Sequence, residues 1–371
     1  MPSAGKRIAG KLVDGAGRIA LRPGAVVALT LALVAAAFPA AAAGAGRDHE
    51  RDVGWTLHVD NDLFAFTDDD RDYTAGVAFT LGGDAARENV LAKGLDWLDS
   101  RTPLGRFFED RDAEHSVELG LVLFTPNDLS ASEPLADDRP YASLTYAAST
   151  RLAVDGPVAH QSSLTIGFLG LPFAEQLHRG VHEVVGSQEP MGYHHQISDG
   201  GEPTFRYAMS RYRLLDRGSW KGKPYSVRLD TTASVGYLTE AGAELSVRWG
   251  SFDAPWWSSL PSASDYAGHP PIRAPRPGAQ PAKPRVQLSA GVSVRARLYN
   301  AFLQGQFRSS DVTHSFSDLD HLLFEAWVGV TTVLKNDLSL SYTVRHQTEE
   351  IRAGRGARGF TWASIGVAQQ F

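Results

Sequence analysis

The sequence predicts an all-β protein: a transmembrane antiparallel β-barrel, most simply of twelve strands, with a short helix in an extracellular loop. Segments of about ten residues with one apolar and one polar face recur along the chain, as in barrel strands. No apolar run of roughly 18 residues follows residue 44, so no spanning helix is expected there. The 371 residues include no cysteine, so paired strands must hold an exported chain together without disulfides.

The first 43 residues are expected to be a signal peptide. Basic residues from Lys6 to Arg22 precede an uncharged run over 23–44, and Ala41 and Ala43 offer small side chains for cleavage. A transmembrane anchor is the alternative, because the run approaches the roughly 20 residues of a spanning helix. The alanine-rich end and the cleavage motif favour a signal peptide. Residues 44–371 would then form one outer-membrane barrel domain.

Thirteen segments show the strand pattern. They lie near residues 53–62, 73–83, 116–124, 140–152, 160–169, 204–213, 225–237, 241–249, 286–298, 300–308, 321–333, 337–347 and 360–371. Bacterial single-chain barrels have an even number of strands, so one segment must be wrong. Twelve strands are preferred over fourteen.

The end of the chain illustrates the pattern well. After a tight turn at Asn336-Asp337, alternate residues from Leu338 to Val344 are apolar, and the residues between them are polar. The chain ends at Phe371, and by fold-level analogy an aromatic last residue is typical of outer-membrane barrels. A soluble β-sandwich whose last strand happens to end in phenylalanine is the alternative.

Three stretches stand outside the strand pattern. Residues 85–112 look partly helical and amphipathic, and residues 251–284, rich in proline, serine and tryptophan, should form a long irregular loop. Residues 172–186 space apolar side chains at helical intervals and end in glycine, which predicts a helix. His178 and His182 lie four residues apart on one face of it.

The alternation of strands assigns these features to sides of the membrane. If the amino terminus lies in the periplasm, the connections after the first, third and fifth strands are extracellular. The Asn61-Asp62 pair, Thr74 and the His182 helix then share one end of the barrel. They belong to connections that are not neighbours in the chain, so their meeting depends on barrel closure or loop folding.

Asn61 and Thr74 raise a question of strand parity. Asn61 has the same parity as Trp55 and Val59, so its amide is expected to face the lipid, where it needs a partner or headgroup-level placement. This favours a site on the outer wall. Alternatively, the strand has already ended and Asn61-Asp62 cap a turn. Thr74 has the opposite parity to the apolar residues of its strand, so it needs a β-bulge or a terminal position to join the same site.

Six aspartates, at positions 60, 62, 68, 69, 70 and 72, could bind a hard cation such as Ca²⁺ through oxygen. Their spacing does not match an EF-hand loop, and most acidic runs are simply solvated. The formal net charge of −6, with scattered basic residues, predicts no nucleic-acid partner.

His182 is a candidate general base, with His178, His194 and His195 as competitors. Neither a nucleophile elbow nor a zincin motif occurs in the mature chain. A hydrolase would therefore use water activated by a histidine beside a polarising cation.

The ordered motifs resemble those of the Gram-negative outer-membrane lipid A 3-O-deacylases. The matching blocks are Asn61-Asp62, residues 70–76 (DRDYTAG), residues 181–186 (VHEVVG) and, more weakly, residues 138–142 (DRPYA). The resemblance runs in order over most of the mature chain and is sharpest over residues 55–200. It implies a twelve-stranded outer-membrane barrel whose substrate is lipid A of lipopolysaccharide.

The implied activity is calcium-dependent removal of the 3′-linked acyloxyacyl group. By this resemblance Asp62 binds the Ca²⁺, His182 deprotonates the attacking water, and Asn61 and Thr74 orient the cation site and the base. The active site would face the outer leaflet. The resemblance implies no protein partner.

Two departures from the family pattern stand out. Residues 125–138 contain no lysine that could stabilise the oxyanion, so either Arg139 substitutes or calcium acts alone. A carboxylate expected six residues after His182 is Gln188 here, with Glu189 one place late. Two other functions remain open: an outer-membrane phospholipase, and a structural or channel barrel without catalysis.

Overall fold

The computed structural model describes residues 54–65, 71–103, 105–108, 113–185, 187–252, 254–258, 285–334 and 338–370. The predicted signal peptide, Asp68 to Asp70, Gly186, the Asn336-Asp337 turn and Phe371 lie outside the described residues. So do most of the predicted loop over 251–284 and residue 104 with 109–112 of the predicted helical stretch.

The described residues form one closed barrel of twelve antiparallel strands, in which each strand pairs with its chain neighbours and β1 pairs with β12. The strands are β1 Gly54–Asn61, β2 Asp72–Gly82, β3 Glu114–Thr125, β4 Ala142–Asp155, β5 Val158–Leu169, β6 Glu202–Trp220, β7 Lys223–Gly236, β8 Leu238–Gly250, β9 Arg285–Asn300, β10 Leu322–Val333, β11 Ser339–Gln347 and β12 Phe360–Gln370. The prediction of a twelve-stranded barrel is confirmed. We call the end of the barrel at which β1 begins the N-terminal end. The opposite end, where the chain passes from β1 into β2, is the site end.

The wrong segment among the thirteen is 300–308. Asn300 ends β9, and its side chain accepts a hydrogen bond from the backbone N–H of Phe302, which starts a one-turn helix. This turn carries Phe302 into the barrel interior, where it is fully buried. Gly305, at φ 70°, ends the turn. The alternation of this segment comes from a folded loop and not from a strand.

Four helices occur within the described residues: α1 Val90–Asp99, α2 Gly105–Phe108, α3 Pro172–Val185 and α4 Ala301–Gln304. α1 and α2 lie in the connection between β2 and β3, and this bears out the prediction of a partly helical stretch there. α3 lies between β5 and β6, as predicted for the helix that carries His182. Of the described helices, none is long and apolar enough to cross a membrane.

The two faces of the wall differ as the alternation predicts. Outward positions are apolar and often exposed, as at Leu119, Phe168 and Phe205. Inward positions carry arginines and carboxylates, and Glu325 for example binds both Arg295 and Arg345. Closely paired charges of this kind satisfy one another where water is scarce.

At the site end the interior is closed by an apolar cluster and an ion-pair network. The cluster brings together Tyr73, Val122, Phe124, Ala142, Leu144, Tyr146, Ala148, Leu169, Ile197, Tyr237, Leu238, Ala301, Phe302, Phe360 and Trp362. Beside it, Arg139 and Arg297 both donate to Glu350 in the connection after β11. Burial alone would raise the pKa of Glu350, but the two guanidinium groups outweigh burial and hold this pKa below its usual value.

Candidate functional site

The first part of the candidate site is the junction where β1 ends. Asn61 donates from Nδ2 to the carbonyl oxygen of Thr74, 2.7 Å away, and accepts from the backbone N–H of Leu63. Asp62, which is 3% exposed, accepts from the N–H groups of Leu63 and Arg71 at 2.8 and 2.6 Å. Both side chains therefore cap the turn, and these bonds hold the amide and the carboxylate in place on the strand end.

A β-bulge places Thr74 on the outer wall. The register between β2 and β3 shifts between Tyr73 and Ala75, so Thr74 is the extra residue. Its hydroxyl lies 2.5 Å from that of Thr125, which has the outward parity of Leu121. The bulge required by strand parity is thus present, and it brings Thr74 to the same face as Asn61.

The same bulge turns Tyr73 into the interior. Its hydroxyl donates to Asp60 at 2.7 Å and lies against Gly76, where a Cβ would overlap it. Gly76 is therefore needed for close approach, and Ala75 leaves room on the outside for α3. The Tyr-Thr-Ala-Gly motif is explained by which side of the wall each residue occupies.

The second part of the candidate site is α3, which packs on the outer wall. Ala174 and Leu177 lie in one apolar cluster with Leu121 and Leu123 of β3 and Ala75 of β2. Ala75 is the cross-strand partner of Asn61. The helix therefore lies over the wall beside the end of β1, although it belongs to the connection after β5.

His182 is buried in α3, at 5% exposure, with a defined hydrogen bond. Its Nδ1 lies 2.5 Å from the carbonyl oxygen of Gln188. A carbonyl can only accept, so Nδ1 carries the proton and Nε2 has the lone pair. Next to it, the ring of His178 packs edge-on at 4.1 Å, and His178 Nδ1 bonds the hydroxyl of Tyr193.

The connection between β3 and β4 supports both parts. On one side Asn127 accepts from the guanidinium of Arg71, which follows the Asp62 turn. On the other side Leu129 accepts from the N–H of Met191 and packs, with Tyr141, against Tyr193. One loop thus links the β1–β2 junction to the segment that orients the two histidines.

Two sequence-based suggestions need correction, because three of the residues involved point inward. Asp60 lies in the interior beside His58, at 3.0 Å, and Asp72 pairs there with Arg139 and Arg358. The acidic cluster is therefore divided by the wall, with Asp62 outside this interior group. Arg139 is 2% exposed and bound to Asp72 and Glu350, so the suggestion that it stabilises an oxyanion on the outer wall is wrong.

The donors at the junction match a hard cation in kind. Asn61 and Asp62 offer only oxygen ligands, the type that calcium prefers, but calcium takes about six to eight of them. Among the described residues no group of three or more His, Asp or Glu side chains could hold a metal ion. Further ligands would have to come from water, from substrate or from the aspartates at 68–70.

Sequence reasoning missed three contributors to the site. Gln188 orients His182 through its backbone, so the expected carboxylate is not needed for this bond. Tyr193 contacts His178, and Arg71 contacts Asn127. Neither contact has a sequence signal, because the two partners are far apart in the chain. His194 is exposed, and His195 bonds Asp311 and the carbonyl of Ser132 instead of joining the site.

Comparison with known proteins identifies a family. The sequence profile of the outer membrane protein LpxR family matches residues 27–371. No curated protein sequence matches the chain.

Among solved structures, LpxR from Salmonella typhimurium superposes with a TM-score of 0.66 at 16% identity, covering 86% of this chain and all of that one. At this identity the match speaks for the fold alone. The β domain of the Bordetella autotransporter BrkA (TM-score 0.37, 11% identity, 86% and 98% covered) and the KdgM porin (0.33, 7%, 86% and 99%) are much less similar.

Proposed function

Because the chain belongs to the LpxR family of outer membrane proteins, we propose that it is a hydrolase that removes the 3′-linked acyloxyacyl group from lipid A of lipopolysaccharide. The observation that carries the proposal is the position of the candidate site. Asn61, Thr74 and the histidine-bearing α3 all lie on the outer wall and not in the barrel interior. A site on that side of the wall is reached from the lipid.

The surroundings of Asn61 suit an acylated substrate. On one side Phe64, in the turn Leu63–Ala65, packs with the outer-wall residues of β1 and β12, and its carbonyl accepts from Tyr342. On the other side α3 covers β2 and β3. The end of β1 therefore lies between two flanking segments on an apolar wall, where acyl chains can pack while the amide and carboxylate meet the ester.

His182 is the proposed general base. With its Nδ1 proton held by Gln188, Nε2 can accept a proton from water, whose oxygen then attacks the ester carbonyl carbon. The protonated ring then returns the proton to the leaving alcohol. His178, packed against the ring and held by Tyr193, limits the rotation of the base.

Asp62 and Asn61 are the proposed ligands of a calcium ion, and Thr74 orients the cation site and the base. When bound, calcium would supply positive charge to the ester carbonyl oxygen. The hydrogen bonds of Asn61 and Asp62 to the turn hold both oxygen donors in fixed positions before a ligand arrives. We place the N-terminal end in the periplasm, so that the site end faces the leaflet that contains lipopolysaccharide.

The test is expression in the outer membrane of a strain with known lipid A, followed by mass spectrometry of that lipid with and without a calcium chelator. We expect a calcium-dependent loss of one acyloxyacyl unit. His182→Ala, Asn61→Ala and Asp62→Ala should each lower the rate by about 10²-fold or more while the barrel still folds. His194→Ala is the matched control, because this exposed histidine of the same connection lies outside the site.

The same experiment separates the alternatives. Release of fatty acid from glycerophospholipid with unchanged lipid A would favour a phospholipase. Unchanged lipids with a folded, inserted barrel would favour a structural role. Full activity in both His182→Ala and Asn61→Ala would reject the site assignment.

A further inference from the structure

The connection between β2 and β3 carries α1 back onto the lipid-facing wall near the N-terminal end. Asp99, at the end of α1, is 1% exposed and accepts from the hydroxyls of Ser162 and Tyr207, each at 2.7 Å. Both hydroxyls have the outward parity of their strands, shared with the exposed Ile166 and Phe205. The helix is therefore fixed to the outside of β5 and β6.

The opposite side of α1 carries exposed apolar and basic groups, together with the carboxylate of Asp96, which is held in an ion pair. Val90, Lys93 and Trp97, spaced three and four residues apart, lie on the face away from the wall, and Val90 and Trp97 are 79% and 56% exposed. The guanidinium of Arg101 lies 3.9 Å from the centre of the Trp97 ring. Tryptophan with neighbouring basic residues is the composition of helices that lie in a membrane interface.

Two further arginines lie on the outward face of β6, the strand whose Tyr207 binds Asp99 of α1. Arg211 and Arg213 of β6 are exposed on the outward face, about 7 Å apart along the strand. Their cross-strand neighbours are His160 and Val158 on β5, and Thr231 and Leu229 on β7. None of these four described cross-strand neighbours carries a carboxylate. We call Lys93, Arg101, Arg211 and Arg213 the basic patch.

The position of the patch indicates what it meets. Along the outward face of β6 the residues change from Phe205, Tyr207 and Met209 to the two arginines. An arginine on the lipid face costs about 2–4 kcal/mol at mid-membrane but about 0–1 near the interface. This cost favours a position of the two arginines near the level where the hydrocarbon ends, and phosphate oxygens are the acceptors available at that level.

We propose that the basic patch and the exposed face of α1 bind the phosphate headgroups of anionic glycerophospholipids in the leaflet at the N-terminal end of the barrel. The four cations would attract the phosphates, and Val90 and Trp97 would insert between the lipids. This inference requires the barrel to be in a membrane, but it does not depend on the deacylase reaction. It assigns the end opposite to the candidate site to the phospholipid leaflet.

The test uses the purified full barrel in nanodiscs of phosphatidylcholine alone or mixed equally with phosphatidylglycerol. Native mass spectrometry then counts the lipids that stay bound to the barrel after the barrel is released from the nanodisc. The variants are Arg211→Gln with Arg213→Gln, and Lys93→Gln with Arg101→Gln. The matched control is Arg217→Gln with Lys221→Gln, which removes two exposed cations nearer the tip of the β6–β7 hairpin.

We expect wild type and control to retain phosphatidylglycerol selectively, and each patch variant to retain roughly tenfold less of it. Equal retention of both lipids by the wild type would overturn the proposal, as would an equal loss in the control. Complete displacement of phosphatidylglycerol by inorganic phosphate would also overturn the proposal, because the surface would then bind the phosphate ion and not the lipid. Heat-dependent gel mobility confirms that each barrel is folded, and the wild-type comparison stands even if a variant fails to fold.

Discussion

Replacing the two hydroxyls at the bulge tests how Thr74 is held. Thr74 and Thr125 are 1% and 0% exposed, and their hydroxyl oxygens lie 2.5 Å apart. Thr125→Val leaves the buried Thr74 hydroxyl without this partner, and Thr74→Val does the converse. An unsatisfied buried hydroxyl costs about 1–3 kcal/mol, so each single variant should lower the free energy of unfolding by that amount.

The double variant distinguishes this reasoning from a simple loss of contacts. With valine at both positions, no hydroxyl remains to be satisfied, and two apolar groups of similar shape fill the space. We expect the double variant to be at least as stable as either single variant, with a coupling energy of about 1–3 kcal/mol. Thr231→Val, an exposed outward position, is the matched control and should change stability by less than about 0.5 kcal/mol.

The measurement is equilibrium urea unfolding of the barrel in lipid vesicles, followed by tryptophan fluorescence. The coupling would be refuted if the single variants were as stable as the wild type. It would also be refuted if the double variant lost as much free energy of unfolding as the two single variants together. The proposed deacylation of lipid A, measured on the same variants, gives a second readout. If Thr74 orients the base, Thr125→Val should slow the reaction although the Thr74 hydroxyl is still present.

Three further predictions concern neighbouring features. Gly76→Ala should lower the free energy of unfolding by about 1–3 kcal/mol, because the new methyl group overlaps the Tyr73 hydroxyl. Adding Tyr73→Phe to this variant should restore part of the lost stability, measured by urea unfolding. The depressed pKa of Glu350 means that its carboxylate stabilises the fold above its ordinary pKa of 4.5, and that this contribution is lost as pH falls from 4.5 through the lower pKa of the folded state. Glu350→Gln should therefore lower the free energy of unfolding by about 3–5 kcal/mol at neutral pH. It should also weaken the decrease of the urea unfolding midpoint at acidic pH, and an unchanged decrease would contradict the assignment. Gln188→Ala should keep the rate of the proposed deacylation within about twofold of the wild type, since only the backbone carbonyl of Gln188 orients His182. A loss as large as that of His182→Ala would show that the Gln188 side chain takes part.

Much of the wall could be predicted because its signal is local. The period-two alternation gives twelve of the thirteen segments correctly, and it fails at 300–308, where Asn300 starts a turn that buries Phe302. Strand parity also shows that Thr74 needs a bulge to share a face with Asn61. The register shift at Tyr73 and Ala75 supplies it.

The acidic loop shows where local reasoning fails. Six aspartates within 13 positions suggested one cation site, but Asp60 and Asp72 bind partners in the interior, and Asp62 caps the turn outside it. Arg139 likewise looked available for an oxyanion and is instead bound to Glu350, 211 positions away. Beyond the end of a strand, the alternation of faces no longer applies. The density of charge along the chain therefore does not reveal on which side of the barrel wall a carboxylate lies.

By itself, the sequence determined the class of the protein, the alternation of its wall, the helix that carries His182 and the family motifs. These depend on spacing between residues that are close in the chain, where pleat and helical period fix which side chains share a face. Only the tertiary structure decided that α3 packs beside the end of β1, that the loop after β3 links Arg71 to Tyr193, and that α1 lies on the outer wall. Those contacts join residues from different connections, and barrel closure together with loop packing brings them together.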